Sequence, residues 1–446
     1  MIAAARPQSQ PPNIVFIMAD DLGWTDLACY GSRYYETPHI DRLRAQGMKF
    51  TSYYVNQNCT PTRAALMTGQ YSPRTGMFTV GTAERGEARF RRMLVPENVT
   101  ELPANRMTVA DALRAGGYAT GLFGKWHLGQ RAENHPTRRG FDEAIVSMGR
   151  HFDFDTDPKT EVAPHSYLAD FLTHRAVGFM ERHKDRPFFL YLPHFGVHVP
   201  HQAKPELIER FKHKSPAGGH HDPVYAAMIY SLDESVGRIL AKLDELKLAE
   251  KTLVIFASDN GGVGGYRAAG IRAQDHTDNT PLRAGKGTLY EGGIRVPFIA
   301  RLPGVISPGA VCERPIAHID ILPTFLELAG APAPNQPLDG LSFAPLLRDA
   351  RARLKRDALY WHQPGYLEGR GAGDWRSTPA GAIRSGDWKL IEFFEDDRIE
   401  LYNLKEDIGE KQDLAAKIPG VARELRAKLQ AWRQSLNAPM PRPKPE

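Results

Sequence analysis

A cysteine, a proline and an arginine alternate in the segment CTPTRAALMTG, which begins at Cys59. Pro61 suits the first position of a helix, where its missing N–H has no intrahelical partner, and Thr60 or Cys59 can cap that helix. Gly69 can end it in the left-handed conformation. Cys59 would then lie at the positive end of a helix dipole, one turn from the charge of Arg63. Such a position can activate a nucleophile or bind an anion, and the alternative is a buried structural cysteine beside a helix cap.

Two acidic pairs predict a metal site. Asp20 and Asp21 follow the apolar run NIVFIM, and Asp259 and Asn260 follow the run TLVIFA. These oxygen donors include no Cys or His, which favours Ca²⁺ or Mg²⁺ over zinc. Either pair alone could simply form a turn. Two pairs, each after a buried strand, favour a shared cation, because carboxylates packed together without one repel each other and raise their own pKa values.

Five basic side chains are candidates to surround this predicted metal site: Arg63, Lys125, His127, His198 and Lys286. Lys125 and His127 follow the apolar run YATGLF, and His198 follows the run PFFLYL. They can supply cations and proton donors around the acidic pairs, although any one histidine can instead be a surface or core residue.

Predicted strands and helices, which must position these residues, alternate along the chain. Four short, nearly unbroken apolar runs are typical of strands buried on both faces: NIVFIM (13–18), YATGLF (118–123), PFFLYL (187–192) and TLVIFA (252–257). Helical patterns separate them, over MTVADALRAGG, which Gly116 or Gly117 closes, and from Val224 to Leu246. The sequence therefore predicts an α/β fold with a large, mostly parallel sheet sandwiched by helices. Ligands bind beyond the carboxyl ends of such strands, so the polar segments that follow them should converge.

The pattern changes after about residue 345. AIRSGDWKLIEFF and RIELYNL are typical of antiparallel strands, and VARELRAKLQAWRQSL of an amphipathic helix. We therefore expect a catalytic domain over 12–345 and a small C-terminal α+β subdomain over 346–437. The Pro-rich ends, 6–12 and 439–445, are expected to be loose.

Composition excludes several classes of protein. The 446 residues are 42% hydrophobic and 24% charged, enough to bury a substantial core. The net charge of +5 is scattered along the chain, which argues against nucleic acid and favours anionic substrates. No apolar run approaches the roughly 18 residues that a membrane span needs. The start, MIAAARPQSQPPN, is too short and polar for a signal peptide, so we expect a cytoplasmic protein or one whose export signal has been removed.

The three cysteines, Cys29, Cys59 and Cys312, cannot form a disulfide framework. If Cys59 has a chemical role, Cys29 and Cys312 can pair or remain thiols.

Taken together, seven spaced motifs resemble the type I sulfatases of the alkaline phosphatase superfamily. They cover about residues 12–435 in the family's order: IVFIMADDLGW, ETPHIDRLRAQGMKF, CTPTRAALMTGQY, GYATGLFGKWHLG, SDNGG, PLRAGKGTLYEGGIRVPFI and LYNLKEDIGEKQDL. The resemblance implies an alkaline phosphatase-like fold and export to the periplasm or secretion.

The resemblance also implies a chemistry. A formylglycine-generating maturation enzyme would convert Cys59 to formylglycine, an aldehyde whose hydrate attacks sulfur and whose second hydroxyl later lets the covalent sulfate leave. Thr62 stands where the family usually has Ser, but the cysteine, proline and arginine remain, so we expect maturation to proceed.

Roles follow from the same resemblance. The implied ligands of Ca²⁺, with Mg²⁺ possible, are Asp20, Asp21, Asp259, Asn260 and the modified Cys59. Arg63 and Lys125 would orient the nucleophile, and His127 would support the hydrate. Lys286 and His198 would contact sulfate and the leaving oxygen, with His194 and His201 as alternatives to His198.

The expected function is release of inorganic sulfate from a sulfate monoester, and the expected substrate is a sulfated saccharide. One alternative is a phosphonate or phosphate diester hydrolase of the same superfamily. Another, of a different class, is a catalytically inactive protein that binds sulfated glycans, which would follow if Cys59 stayed a thiol.

Overall fold

All four predicted apolar runs are strands in the computed structural model, which describes residues 11–445. The strands are β1 (Asn13–Ala19), β2 (Met48–Tyr54), β3 (Met93–Leu94), β4 (Ala119–Gly124), β5 (Glu143–Val146), β6 (Phe188–Pro193), β7 (Thr252–Ser258), β8 (Arg295–Arg301), β9 (Ala310–Cys312), β10 (Ile316–Ala317), β11 (Leu359–Gln363), β12 (Leu367–Glu368), β13 (Trp375–Ser377), β14 (Ala380–Ser385), β15 (Trp388–Phe393), β16 (Ile399–Asn403) and β17 (Arg442–Pro443).

The α-helices are α1 (Pro38–Gln46), α2 (Cys59–Thr68), α3 (Ser72–Thr75), α4 (Val109–Ala115), α5 (Leu168–Arg182), α6 (Pro205–Lys212), α7 (Pro223–Glu245), α8 (Glu291–Ile294), α9 (Ile321–Ala329), α10 (Ala344–Arg348) and α11 (Pro419–Ser435). Short 3₁₀ helices lie at Ala28–Tyr30, Ala88–Phe90, Ala132–Asn134, Pro136–Arg138, Ala249–Lys251 and His318–Asp320.

A nine-stranded sheet forms the centre of the molecule. Its order is β10-β2-β8-β7-β1-β6-β4-β5, and β9 also pairs with β2. The four predicted strands are β7, β1, β6 and β4, which are adjacent and parallel. Of the ladders in this sheet, those that β8 makes with β2 and β7 are antiparallel. The predicted fold, a mostly parallel sheet in an α/β architecture, is confirmed.

Helices cover both faces of this sheet, because successive residues of its strands point in opposite directions. In β1, Phe16 packs into the core that contains α2, α4, α9 and α10. Its neighbour Ile17 packs into the core that contains α1, α5, α6 and α7. All seven residues of β1 are buried, as the unbroken apolar run predicts.

The C-terminal region contains a four-stranded antiparallel sheet in the order β11-β14-β15-β16. Helix α11 packs on it through Leu425 and Leu429, which join Leu390 and Leu401 of the sheet in one small core. The two predicted strand segments and the terminal helix are confirmed, and the structure adds β11 and the hairpin β12–β13 to them.

Several local predictions need correction. Helix α2 begins at Cys59 itself, with Asn58 as N-cap, so neither Cys59 nor Thr60 is the cap. Pro61 is the third helical residue, where an N–H also has no intrahelical partner. Gly69 ends the helix with φ of 66°, as predicted.

The Pro-rich C-terminal end is also ordered, because Arg442 and Pro443 pair with Leu94 and Met93. Of the N-terminal Pro-rich stretch, residues 6–10 lie outside the described residues. Cys29 and Cys312 are free thiols, so the alternative that they pair is wrong. None of the helices in residues 11–445 combines the length and apolar character that a membrane crossing needs.

Candidate active site

The polar segments that follow β1, β4, β6 and β7 meet at one edge of the sheet, as predicted. Hydrogen bonds and ion pairs shorter than 4 Å connect Asp20, Asp21, Arg63, Lys125, His198, Asp259, Asn260 and Lys286, and Cys59 lies among them. The convergence follows from adjacent parallel strands, which deliver their carboxyl ends to the same edge.

Asp20, the first residue after β1, is held by two buried cations. Its Oδ2 lies 2.5 Å from Lys125 Nζ and 3.8 Å from Arg63 Nη2. Burial raises the pKa of Asp20, but the charges of Lys125, His198 and the other cations outweigh it and hold that pKa well below the usual range. Asp20 is therefore a permanently charged ligand or acceptor at neutral pH.

Asp21 has a second set of partners. Its Oδ1 lies 2.6 Å from Lys286 Nζ and accepts a 2.8 Å hydrogen bond from Asn260 Nδ2. The Asp21 backbone has a φ of 64°, and its N–H donates to Asp259 Oδ1 at 3.2 Å. A positive φ is uncommon outside glycine, and here it turns the chain so that two successive carboxylates face the same centre.

Arg63 is 1% exposed and joins three elements. From α2 it donates twice to Asp259 Oδ2, at 3.0 and 2.7 Å, and once to the Lys125 carbonyl at 2.8 Å. Burial and the charge of Asp20 nevertheless raise the pKa of Asp259 to about 6. The expected repulsion is therefore seen at Asp259, whereas Asp20 and Asp21 are compensated by lysines.

Cys59 lies at the centre of this charged group and is 1% exposed. Its Sγ is 3.5 Å from Asp20 Oδ1 and 4.0 Å from Asp21 Oδ1. Burial raises the pKa of the Cys59 thiol to about 12, although Lys125 and Lys286 oppose it. For the unmodified thiol, desolvation and the nearby aspartates therefore outweigh the helix terminus and the nearby cations.

His127 follows β4 on the Lys125 side of the centre, with a positive φ of 61°. Its Nδ1 is buried without a hydrogen-bond partner. Burial and the charges of Lys125 and Arg63 lower the pKa of His127 to about 2, so the ring is neutral. Thr60 and His127 also line a cleft of about 1200 Å³. The neutral ring thus has one buried nitrogen whose hydrogen-bonding capacity is unused.

Three histidines follow β6, and His198 is the one that faces the centre. Its Nε2 is 3.7 Å from Asp21 Oδ2, and its Nδ1 is 2.7 Å from the Val199 carbonyl. His194 is 1% exposed, with Nε2 2.9 Å from Ser235 Oγ in the core, and burial lowers its pKa to about 3. The geometry therefore favours His198 over His194.

The centre has the donors of a divalent cation site. Ligand atoms of Asp20, Asp21, Cys59 and His198 all lie within 4.8 Å of one another. Asn260 Oδ1 is buried and has no hydrogen-bond partner. A buried carbonyl oxygen without a partner is costly unless something binds it, and with the carboxylates it forms the hard donor set that Ca²⁺ or Mg²⁺ prefers. The cluster includes His198, which was not among the predicted ligands, and leaves out Asp259, which was.

Several supporting residues escaped the sequence reasoning. His151, 1% exposed, has its Nε2 2.9 Å from the His198 carbonyl and stacks on Phe195. Asp26 accepts from the Gly23 N–H at 2.7 Å and from Tyr225 Oη at 2.8 Å, which fixes the loop after β1. Asp26 stands in the polar stretch that follows β1, and this position is a signal that it supports the site. His151 stands in no recognisable sequence pattern.

Two protein-family models match this chain. The family model described as sulfatase matches residues 12–331, and the model described as N-sulphoglucosamine sulphohydrolase, C-terminal, matches residues 284–435.

Individual proteins are similar over nearly the whole chain. A sulfatase of Formosa agariphila is 36% identical over 517 residues, covering 97% of this chain and 91% of the relative. Human arylsulfatase A is 33% identical over 491 residues, covering 97% and 88%. The crystal structure of Ps i-CgsB in complex with k-i-k-neocarrahexaose is 31% identical and superposes with a TM-score of 0.79, covering 95% of this chain and 93% of that one.

Proposed function

We propose, since this chain belongs to the sulfatase family, that it hydrolyses a sulfate monoester of a saccharide at the centre around Cys59. The observation that carries the proposal is the convergence of Asp20, Asp21, Lys125 and Lys286 on Cys59, at the first residue of a buried helix. Ester hydrolysis itself is the activity of the family. The saccharide and the residue roles are our proposal, and a relative that holds neocarrahexaose supports the saccharide.

Cys59 would supply the nucleophile only after conversion to formylglycine, whose hydrate offers a hydroxyl for attack on sulfur. The thiol itself is unsuited to that step, because burial keeps its pKa at about 12. Cys59 is also 1% exposed, so a maturation enzyme would have to act on it before the chain folds.

Lys125 and Arg63 would orient the nucleophile. Both are fixed before substrate arrives, Lys125 through Asp20 and Arg63 through Asp259. Preorganised charges of this kind stabilise a transition state without reorganising during the reaction. His127, whose Nδ1 has no hydrogen-bond partner, would take the proton when the hydrate collapses.

Lys286 and His198 would contact the sulfate group and the departing oxygen. Both side chains approach Asp21, Lys286 Nζ at 2.6 Å and His198 Nε2 at 3.7 Å, so they lie on the same side of the centre. His198 can donate a proton to the leaving alcohol when it is protonated.

A divalent cation fits between Asp20, Asp21 and Asn260, and we propose Ca²⁺, with Mg²⁺ as the alternative. Bound there, it would neutralise the carboxylates and draw charge from a sulfate oxygen.

The test is activity combined with mass spectrometry on the Cys59 peptide. The chain is produced with a formylglycine-generating enzyme, and we expect a mass loss of about 18 Da at residue 59. This preparation should release sulfate from 4-nitrophenyl sulfate and from sulfated saccharides. A matched Cys59→Ala preparation should bind these sulfate esters but release no sulfate from them.

Three other outcomes would contradict the proposal. Faster hydrolysis of an aryl phosphodiester than of the aryl sulfate would indicate the phosphonate or phosphate diester reaction. Saccharide binding without sulfate release, with Cys59 unmodified, would indicate a binding protein. Full activity with an unmodified thiol would remove formylglycine from the mechanism.

A further inference from the structure

Arg376 lies in β13 of the C-terminal region, beside the aromatic ring of Tyr266. It is half-buried, and its Nε is buried without a hydrogen-bond partner. Within residues 11–445, no carboxylate forms an ion pair with it. Its guanidinium carbon lies 5.0 Å from the ring centre of Tyr266. A partly desolvated guanidinium stacked on an aromatic ring keeps its planar fork of donors free for an anion.

This arginine lies beside the loop that carries Lys286. Tyr266, on which it stacks, donates a 2.6 Å hydrogen bond to the Lys286 carbonyl. Gly287 has a φ of +89°, and a Cβ there would lie 2.8 Å from Arg376 Cδ and 2.4 Å from a methyl group of Leu367. The hairpin β12–β13 therefore packs directly on the backbone next to Lys286, and glycine is required for that approach.

The packing on Gly287 places Arg376 beside the centre, because Gly287 directly follows Lys286 and Lys286 Nζ lies 2.6 Å from Asp21 Oδ1. Arg376 therefore lies next to the segment that brings Lys286 to the candidate site.

A neighbouring arginine, Arg272, differs from Arg376 in its exposure and in having an ion-pair partner. Arg272 contacts the turn of the same hairpin, where its 82% exposed side chain pairs with Asp374 at 3.3 Å. Its charge is already compensated and solvated, so it has little to gain from an anion. Arg376 is half-buried and pairs with no carboxylate of residues 11–445, so a ligand anion can become its partner.

We propose that Arg376 binds a second negative group, a carboxylate or a further sulfate, on the saccharide that carries the scissile sulfate. The inference rests on the proposed function, in which the sugar leaves from the Lys286 and His198 side. It makes the preferred substrate a saccharide with at least two negative groups, and it makes Arg376 a residue that determines specificity.

The experiment compares three sugars as inhibitors of 4-nitrophenyl sulfate hydrolysis. They are N-acetyl-D-galactosamine 6-sulfate, its 4,6-disulfate, and the disaccharide in which glucuronic acid is attached to the 6-sulfated sugar. The second sulfate and the carboxylate are thereby tested separately. The variants are Arg376→Met, Arg376→Lys and the control Arg272→Met, which makes the same change at a paired, exposed position.

We expect the wild type to bind at least one doubly charged sugar about 10- to 100-fold more tightly than the monosulfate, as a charge-assisted hydrogen-bonded pair allows. Arg376→Met should abolish that preference, Arg376→Lys should retain part of it, and Arg272→Met should retain all of it. For 4-nitrophenyl sulfate, which lacks the second group, Arg376→Met should keep kcat/KM within about threefold, which also shows that the variant folds.

The inference is overturned if the wild type binds all three sugars equally, or if Arg376→Met weakens all of them to the same extent. If the wild type releases no sulfate from any ester, the proposed function fails on its own. Calorimetric titration of the same sugars then decides the role of Arg376, because a preference for two negative groups that Arg376→Met removes needs no turnover.

Discussion

Replacing Lys389 with methionine should destabilise the whole protein, because this lysine neutralises two buried carboxylates. Its Nζ lies 2.9 Å from Glu291 Oε1 and 2.8 Å from Glu410 Oε1, and all three side chains are 0% exposed. Glu291 begins α8, five residues after Lys286, and also pairs with Arg295. The cluster therefore attaches the C-terminal sheet to the part of the chain that carries the candidate site.

The magnitude follows from the pKa of Glu291. Burial raises it, but Lys389 and then Arg295 outweigh burial and lower the pKa from 4.5 to about 2. A depression of that size corresponds to about 3 kcal/mol of stability at pH 7, and Lys389 supplies its largest attractive part. Breaking a buried ion pair by removing one partner costs about 3 to 5 kcal/mol in general. We therefore expect Lys389→Met to lower the free energy of unfolding by about 3 kcal/mol or more.

The effect should also depend on pH. Burial and Glu291 raise the pKa of Glu410 to about 7, above its ordinary value of 4.5, although Lys389 opposes them. A raised carboxyl pKa contributes stability that is present below about pH 4.5 and lost as pH rises through 7. Without Lys389 this loss is larger, so the deficit of the variant should grow between pH 5 and pH 8.

The assay is urea unfolding of the wild type and the variant at pH 5, 7 and 8. Lys428→Met is the control, since this lysine is 35% exposed and pairs with Glu424 on the surface of α11. That change should cost no more than about 0.5 kcal/mol. A loss below about 1 kcal/mol for Lys389→Met, or a loss equal to that of the control, would refute the reasoning.

Four further outcomes are expected. Lys125→Ala and Lys286→Ala should each lower turnover of 4-nitrophenyl sulfate by about 10²- to 10³-fold, and unchanged turnover would remove that residue from the mechanism. Chelation of divalent cations should lower both sulfate release and the Tm, with both restored by added Ca²⁺; a Tm insensitive to chelation would contradict a structural cation. Asp21→Asn should weaken that restoration, seen as a higher Ca²⁺ requirement. A fragment ending at residue 345 should fail to show a cooperative melt by circular dichroism, because Glu291 would lose Lys389; a folded fragment would support the predicted domain boundary instead.

The strand pattern was sufficient to predict where the site would form. Unbroken apolar runs are typical of strands buried on both faces, and parallel strands deliver their following residues to one edge, so the sequence predicts that Asp20 and Asp259 lie at the same edge of the sheet. Short strands such as β9 and β10, with three and two residues, carry no such pattern. Their pairing with β2 is decided by tertiary packing, which local sequence does not encode.

The supporting contacts were beyond prediction for a different reason. Glu291 and Lys389 are 98 residues apart, and the sequence predicts only that Lys389 lies in an antiparallel strand. From sequence alone, a lysine between apolar residues of a strand is predicted to face solvent. Only its partners in the structure explain why Lys389 is buried. Arg376 was equally unpredictable, because no sequence motif surrounds it and only the structure shows that it has no ion-pair partner among residues 11–445.

Cys59 shows which of two opposing effects dominates at the centre of the site. A helix terminus and the cations Lys125 and Lys286 favour a thiolate, but burial and Asp20 disfavour it more strongly, and the pKa rises to about 12. The proposed formylglycine hydrate would not need a thiolate, because its nucleophile is a neutral hydroxyl, and the same carboxylates are the ligands of the proposed cation. The burial of Cys59 is therefore compatible with the proposed chemistry, whereas it disfavours a thiolate mechanism.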